Sequence, residues 1–475
     1  MKRLFIITCF SFILGLCHGQ RGVVLILADD MGAHLSCLGT KGIKTPAVDK
    51  LAGEGVLFTE AFSSCASCSP SRSSILTGMY PHSNGHWRNT YAPNLNDPDS
   101  EFSRNPSKTY DHVGVHECIP TLTEVLAEAG VYTGITSKFH LSFPWKYQFD
   151  GRINEAHSPA GYASMLKTLI IEAGDKPFYI QVNVTTPHRP FEWHLKHHQG
   201  DLPKAEEIEV PPFLADTELM RKDLQEYYGC VEVADQSAAA IVQVLKEMNL
   251  YEDVLLIFTA DQGMAYHRAK ASPYHAGTHI PMVIRGPGMQ TKAVNNEFVS
   301  LVDLMPTILD HLDVDIPATV QGKSMIPILA GESEELEGRD YIFAEHNSHG
   351  PDPREWYPSR AVYDGRWYYI QNLFPAKTYL LPADLEFEEF WGNHAFKATM
   401  EAKDSHPEHY RLLMELQENR PPQELYDMKN DPGQLRNLAG YGETEEVRNR
   451  LRSVLEEWMV ATGDSILQVM DLQKP

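Results

Sequence analysis

Ionisable and metal-ligating side chains recur in this sequence directly after short apolar runs. Asp29-Asp30 follows the run 23–28, Lys138 and His140 follow 131–136, His188 follows 178–184, and Asp261-Gln262 follows 254–259. A single aspartate in such a place reads most simply as a helix cap. Four such places together point to a site, because ligands of open α/β sheets sit beyond the carboxyl ends of the strands. Asp29, Asp30 and Asp261 supply carboxylates, and Gln262 a neutral carbonyl oxygen. That all-oxygen set suits a hard divalent cation, Ca²⁺ or Mg²⁺, whereas zinc would be expected to recruit histidine or thiolate. A plainer role for Gln262 is a turn residue ahead of Gly263. The segment Cys68-Ser-Pro-Ser-Arg72 leads into a helix that stops at Gly78. Cys68 then sits at a helix start, where backbone N–H groups and the dipole favour anions. Arg72, one turn on, returns to the same face.

The elements that must present these groups alternate. The runs 23–28, 131–136, 178–184, 254–259 and 280–284 read as strands, the first as one buried on both faces of a parallel sheet. Helices are expected from Thr45-Pro46 to 51, over 120–129 with Gly130 as the stop, over 216–248, and over 301–312. That order predicts a doubly wound α/β domain. After about Glu345 the pattern changes. The segment 359–373 has two β-rich halves around Asp364-Gly365, a hairpin signal, and a helix is expected from Thr444 to about 460. A smaller C-terminal α+β domain over 346–475, an antiparallel sheet plus a terminal helix, follows from this reading, with the main domain over 20–345.

The chain has 475 residues, 41 Lys plus Arg and 64 Asp plus Glu, for a formal charge of −23. So acidic a chain lacks the basic footprint that sequence-independent nucleic-acid binding requires. If its substrate is an anion, positive charge must be concentrated in one pocket. Residues 1–19 read as a secretory signal peptide: Lys2-Arg3, a mostly apolar run to Leu16, and small residues before Gln20. An exported protein is expected, periplasmic or secreted if bacterial, with no membrane span in the mature chain. Cys37, Cys65, Cys68, Cys118 and Cys230 remain after the leader, too few for a disulfide scaffold and odd in number, with their pairing left open.

Cys68-Ser-Pro-Ser-Arg72 followed by Ser-Ser-Ile-Leu-Thr-Gly78 resembles the signature of the type I sulfatases, members of the alkaline-phosphatase superfamily. The resemblance extends through Asp29-Asp30, Lys138-Phe-His140, Thr186-Pro-His188, Thr259-Ala-Asp261-Gln-Gly263, the stretch 270–281, Glu424-Leu-Tyr-Asp427 and Asp431-Pro432. It implies an alkaline-phosphatase-like mixed sheet flanked by helices. It further implies that Cys68 is converted to Cα-formylglycine by a maturation enzyme. The hydrated aldehyde would offer one hydroxyl to attack sulfur and a second to release the sulfate by elimination. On the same basis Asp29, Asp30, Asp261 and Gln262, with the modified Cys68, would hold one Ca²⁺. Arg72 would hold the formylglycine hydroxyl, Lys138 and Lys270 would bind sulfate oxygens, and His140 and His188 would move protons, His188 toward the leaving group. The family usually has Asn where Gln262 stands. The side chain is one methylene longer with the same carbonyl oxygen, and calcium tolerates irregular geometry. Two-zinc phosphatases of the superfamily place His directly after this Asp, so its absence argues against a two-metal phosphatase.

Within the family the chain is most similar to the heparan N-sulfatases, on His267-Arg268-Ala-Lys270 before Tyr274, His188-Arg189, Arg360-Ala-Val, and Tyr369-Ile-Gln-Asn372-Leu. That group usually has Asp before the Pro-His, where this chain has Thr186. The resemblance implies a sulfated saccharide substrate, N-sulfoglucosamine first and an O-sulfated polysaccharide as the alternative. A calcium-bound, non-catalytic carbohydrate-binding protein would be signalled by loss of Cys68, Arg72 or Lys138, and all are present. Arg189, beside His188, is expected to contact a substrate carboxylate or sulfate. Trp87 and Trp193 are candidates for stacking on a sugar ring or for packing. His82, His86, His194, His197 and His198 are expected in solvated loops.

Overall fold

The computed structural model describes residues 22–90, 113–155, 157–386 and 388–467. The leader reading of 1–19 lies outside the described residues. An eight-stranded mixed sheet organises the larger part of the chain. Its strands are β1 (Gly22–Ala28), β2 (Val56–Phe62), β3 (Tyr132–Thr136), β4 (Gly151–Ile153), β5 (Phe178–Val184), β6 (Val254–Ala260), β7 (Met282–Arg285) and β8 (Ala293–Ser300). Their order across the sheet is β4-β3-β5-β1-β6-β7-β2-β8. β1 is buried along its whole length, as its unbroken Val/Leu/Ile run requires of a central parallel strand. It pairs in parallel with β5 and β6, and Ala28 lies opposite both Val184 and Ala260. The residues that follow these strands therefore emerge level with one another. β7 is antiparallel to both β6 and β2, so β2 again runs with the parallel set.

Helices α1 (Pro46–Glu54), α2 (Cys68–Thr77), α3 (Leu122–Glu128), α4 (Pro159–Ala173), α5 (Glu218–Glu247) and α6 (Leu304–His311) flank this sheet. Local signals set their ends. Thr121 and Glu124 form a reciprocal capping box on α3, and Thr217 Oγ1 accepts the Met220 N–H at the start of α5. α2 stops at Gly78, whose φ of 63° is the left-handed conformation glycine adopts without a Cβ clash.

A second, antiparallel sheet has the order β12-β11-β10-β9, from β9 (Ile342–Ser348), β10 (Trp356–Tyr363), β11 (Trp367–Asn372) and β12 (Gln423–Asp427). Side chains alternate across it with the period of two that a strand imposes. Val362, Tyr369 and Leu425 face the terminal helix α7 (Glu445–Ala461) through Leu451, Leu455 and Trp458. Ala361, Tyr363, Tyr368, Ile370 and Tyr426 face the larger part of the chain at Phe62, Ala265 and Tyr274. β9 reaches back to the chemistry-bearing segment, since the Glu345 N–H donates to the Ser64 carbonyl at 2.9 Å. The expected α/β class with a smaller α+β part is what the chain forms. Among the described residues no helix is long and apolar enough to cross a membrane.

Candidate active site

The level strand ends deliver Asp29 and Asp30 after β1, Thr185 to Arg189 after β5, and Asp261 and Gln262 after β6. Lys138 and His140 follow β3. β2 carries the chain through Ser63–Ser67 into α2, which places Cys68 at the first turn of a helix whose ten residues are all buried. Two of these positions, Asp30 at φ 64° and His140 at 45°, and Ser137 next to Lys138, at 59°, have left-handed backbone. Non-glycine residues hold that conformation at a cost of about 1 kcal/mol or more each, so the surrounding contacts must fix them.

Those contacts form one connected network. Lys138 Nζ donates to both Asp29 oxygens at 2.9 and 2.7 Å. Arg72 Nε donates to Asp261 Oδ2 at 2.9 Å and its Nη1 to Asn183 at 2.9 Å. Arg72 Nη2 lies 3.4 Å from Asp29. Lys270 Nζ donates to Asp30 Oδ2 at 2.7 Å and to Asp384 Oδ2 at 2.5 Å. Cys68 Sγ lies 3.7 Å from Asp29 Oδ1 and accepts from Gln262 Nε2 at 3.0 Å. The structure thus brings together every sequence-predicted residue of the metal and sulfate set.

Burial acts to raise the Asp29 carboxyl, but Lys138, His188, Arg72 and Lys270 hold it well below the usual carboxylate range. Burial and the neighbouring Asp29 push Asp261 the other way, to about 7. Carboxylates forced together divide in this manner unless a cation offsets their repulsion. Ligand atoms of Asp29, Cys68 and Asp261 lie within 4.8 Å of one another. The buried Gln262 Oε1 has no hydrogen-bond partner among the described residues, while Nε2 contacts Asp30 at 2.5 Å and Cys68 at 3.0 Å. An unpartnered amide oxygen beside clustered carboxylates fits a hard cation. Gln262 is not merely a turn residue, although Gly263 is needed: a Cβ there would stand 2.0 Å from the Ala276 carbonyl.

The two expected proton carriers, His140 and His188, line one cavity of about 560 Å³, together with His157, His194 and His349. His188 Nδ1 lies 2.5 Å from the Arg189 carbonyl. A carbonyl only accepts, so Nδ1 carries the proton and the neutral ring keeps its lone pair on Nε2. Burial, then Lys270, lowers the His188 pKa, and burial with Lys138 takes His140 well below its ordinary value. Burial raises the Cys68 thiol to about 12, against Lys138 and Lys270. The Cys68 sulfur is thus held as a thiol, the opposite of a low-pKa reactive cysteine. All five described cysteines are free.

Arg189 lines the cavity beside His188, but its charge is engaged inside the protein. Its guanidinium is fully buried and forms a two-pronged pair with Asp223 at 3.0 and 2.6 Å, and it donates to the Gly392 carbonyl at 3.0 Å. Its charge is already matched inside the protein. Most of the flagged histidines are also not solvated: His82 pairs with Glu345 and Thr462, His86 is buried, and His198 lies 2.6 Å from Glu232. Thr186 turns its hydroxyl to the Cys230 carbonyl at 2.7 Å. Asp384, His349, Asn89 and Trp391 line the cavity and carried no sequence signal. Asp384 follows Pro382 at a helix start, which reads as an ordinary first-turn acid.

Residues 21–314 match the sequence model of the family described as Sulfatase. The chain belongs to the sulfatase family. It is a sulfate-removing hydrolase. Residues 267–386 of this sulfatase also match the family described as N-sulphoglucosamine sulphohydrolase, C-terminal. Human N-sulphoglucosamine sulphohydrolase is 27% identical over 95% of this chain and 92% of its own. An ulvan-active sulfatase of Formosa agariphila is 27% identical over 93% of this chain and 75% of its own. Among solved structures, a complex with D-glucosamine-2-N,6-O-disulfate superposes with a TM-score of 0.67 at 17% identity, covering 93% of this chain and 98% of that one. A phosphonate monoester hydrolase from Silicibacter pomeroyi superposes with a TM-score of 0.63 at 18% identity, covering 93% and 96%. At such identities the likeness is one of fold, which serves both chemistries.

Proposed function

We propose that this sulfatase removes sulfate from a terminal sulfated sugar, with the N-sulfate of glucosamine as its substrate group. The observation that carries the reading is the convergence of Cys68, Lys138, His188 and Lys270 on one cavity in an otherwise acidic chain. That cavity is where an anion finds positive charge. The match over 267–386 and the human relative's name support N-sulfoglucosamine.

Conversion of Cys68 to hydrated Cα-formylglycine would supply a hydroxyl nucleophile toward sulfur and a second hydroxyl for release. Cys68 is 1% exposed, so the maturation enzyme must act before the fold closes. Asp29, Asp30, Asp261 and Gln262 would hold one Ca²⁺, which supplies positive charge to the sulfate oxygens. Arg72 orients Asp261 through its Nε. Lys138 and Lys270 each carry three donors, and their carboxylate partners leave one for a sulfate oxygen. His188 Nε2 is where a proton arrives and from which it passes to the leaving amine or alcohol. His140, neutral and with Nδ1 unpartnered among the described residues, is the second proton acceptor. The leader reading makes the enzyme an exported one.

One observation favours an O-sulfatase as the second reading. Thr186 is turned away from the cavity toward Cys230, so no carboxylate stands at the position where N-sulfatases carry Asp. The deciding assay measures sulfate released by the matured enzyme from glucosamine N-sulfate and from 6-O-sulfated N-acetylglucosamine. Release from the first supports the N-sulfatase reading. Release from the second alone makes it an O-sulfatase, and release from neither removes the N-sulfatase reading and leaves an O-sulfatase of another ring position or sugar.

A further inference from the structure

Single exposed apolar side chains are ordinary, whereas exposed aromatic rings that adjoin one another mark a binding surface. Among the described residues the two most exposed are Phe390, at 62%, and Trp193, at 50%. They meet each other, with ring centroids 6.2 Å apart at 89°. Phe390 in turn meets Trp391 at 5.0 Å, and Trp391 meets His188 at 5.9 Å. Trp193 and Trp391 line the cavity that holds Cys68 and His188. A continuous row of rings therefore leads from the proton-transfer group out past the cavity mouth. Its two ends come from different parts of the chain, the short helices Glu192–Leu195 and Glu388–Trp391.

We infer that Trp193, Phe390 and Trp391 form a subsite that stacks on the pyranose ring next to the sulfated terminal sugar. The inference rests on the saccharide reading above and extends it from a single unit to a chain. A pyranose presents a C–H face that an aromatic ring covers well, with hydroxyls left at the edge for water. The neighbouring acids Glu386, Glu388 and Glu389 oppose recognition through negative groups, so ring contact carries the attachment. The platform is held in place rather than formed on binding. The Arg189 guanidinium anchors the Gly392 carbonyl at 3.0 Å, and Asp223 accepts the His394 N–H at 3.1 Å. Preorganisation of this kind lowers the entropy lost when a ligand docks.

The test compares a sulfated monosaccharide with a trisaccharide carrying the same sulfated unit at its non-reducing end. In the unaltered enzyme kcat/KM is expected to be about 10-fold higher on the trisaccharide, the scale of one or two aromatic stacks. Trp193→Ala with Phe390→Ala should bring that ratio close to 1, through KM on the trisaccharide, and Trp193→Phe should keep most of it. The ratio should hold from low to high salt, because stacking is not screened as charge contacts are. A ratio of 1 in the unaltered enzyme, or a ratio that survives the double substitution, overturns the subsite while the saccharide reading stands. Turnover of an aryl sulfate with none from either saccharide overturns the saccharide reading, and the subsite with it.

Discussion

Arg189→Met is expected to destabilise the protein strongly. The guanidinium and the Asp223 carboxylate are both fully buried, bonded at 3.0 and 2.6 Å. The cation also lies 4.2 Å from the Phe191 ring centre and 5.0 Å from that of Tyr266. Removing the arginine leaves Asp223 as an uncompensated buried charge, a loss of about 3–5 kcal/mol. For 475 residues the unfolding entropy is roughly 1 kcal/mol/K, at roughly 2.1 cal/mol/K per residue. The thermal midpoint should then fall by about 3–5 °C in a calorimetric scan. Asp223→Leu alone should fall by a similar amount. The double variant should lose far less than the sum, because an apolar pair replaces an ion pair at little net change. A midpoint within about 1 °C of the parent, together with a large rise in KM for a sulfated substrate, would refute this reasoning. It would return Arg189 to the role its position beside His188 first suggested.

Cys68→Ala should abolish sulfate release while changing stability by only about 1 kcal/mol, as one small buried side chain is lost; measurable turnover would remove the sulfatase mechanism. Chelation of divalent cations should lower both activity and thermal midpoint, with Ca²⁺ restoring both. Gln262→Leu should move the Ca²⁺ dependence of the midpoint to higher concentration, and an unmoved curve would take Gln262 out of the metal set. Acid should weaken the fold through buried imidazoles. Burial, then Arg88 for His86 and Arg268 for His267, depresses both pKa values from 6.5 to about 3. A depressed histidine contributes stability that is present above the unfolded value and is lost as the pH falls toward the folded one. Each is worth about 2 kcal/mol by pH 5. His267→Gln should flatten the decline in thermal midpoint between pH 7 and 5, and a parent midpoint that is level over that range would contradict it.

The central strands were legible because an unbroken apolar run such as VVLILA has few alternatives to a doubly buried strand, and the groups at their ends came with them. β2 was not read, because Thr59 and Glu60 interrupt its apolar pattern; both are only half-buried. β8 alternates half-buried with exposed positions and hides for the same reason. The expected helix over 301–312 divides into a short 3₁₀ turn, Leu301–Asp303, and α6. Asp384 could not be found locally, since its meaning lies in a 2.5 Å contact with Lys270, 114 residues away. The same holds for Arg189, whose partner Asp223 sits on α5, 34 residues along.

The cavity is assembled from two unequal kinds of structure. Its floor, from Asp29 through Lys138 to Lys270, is a set of buried charges in which each side chain balances another. Changing one there unbalances the rest. Its outer wall, with Ala383, Trp391 and Trp193, is apolar and carries no balanced charges of that kind. Substitutions in the wall alone should therefore change which molecule the cavity holds while leaving the charge balance of the floor undisturbed.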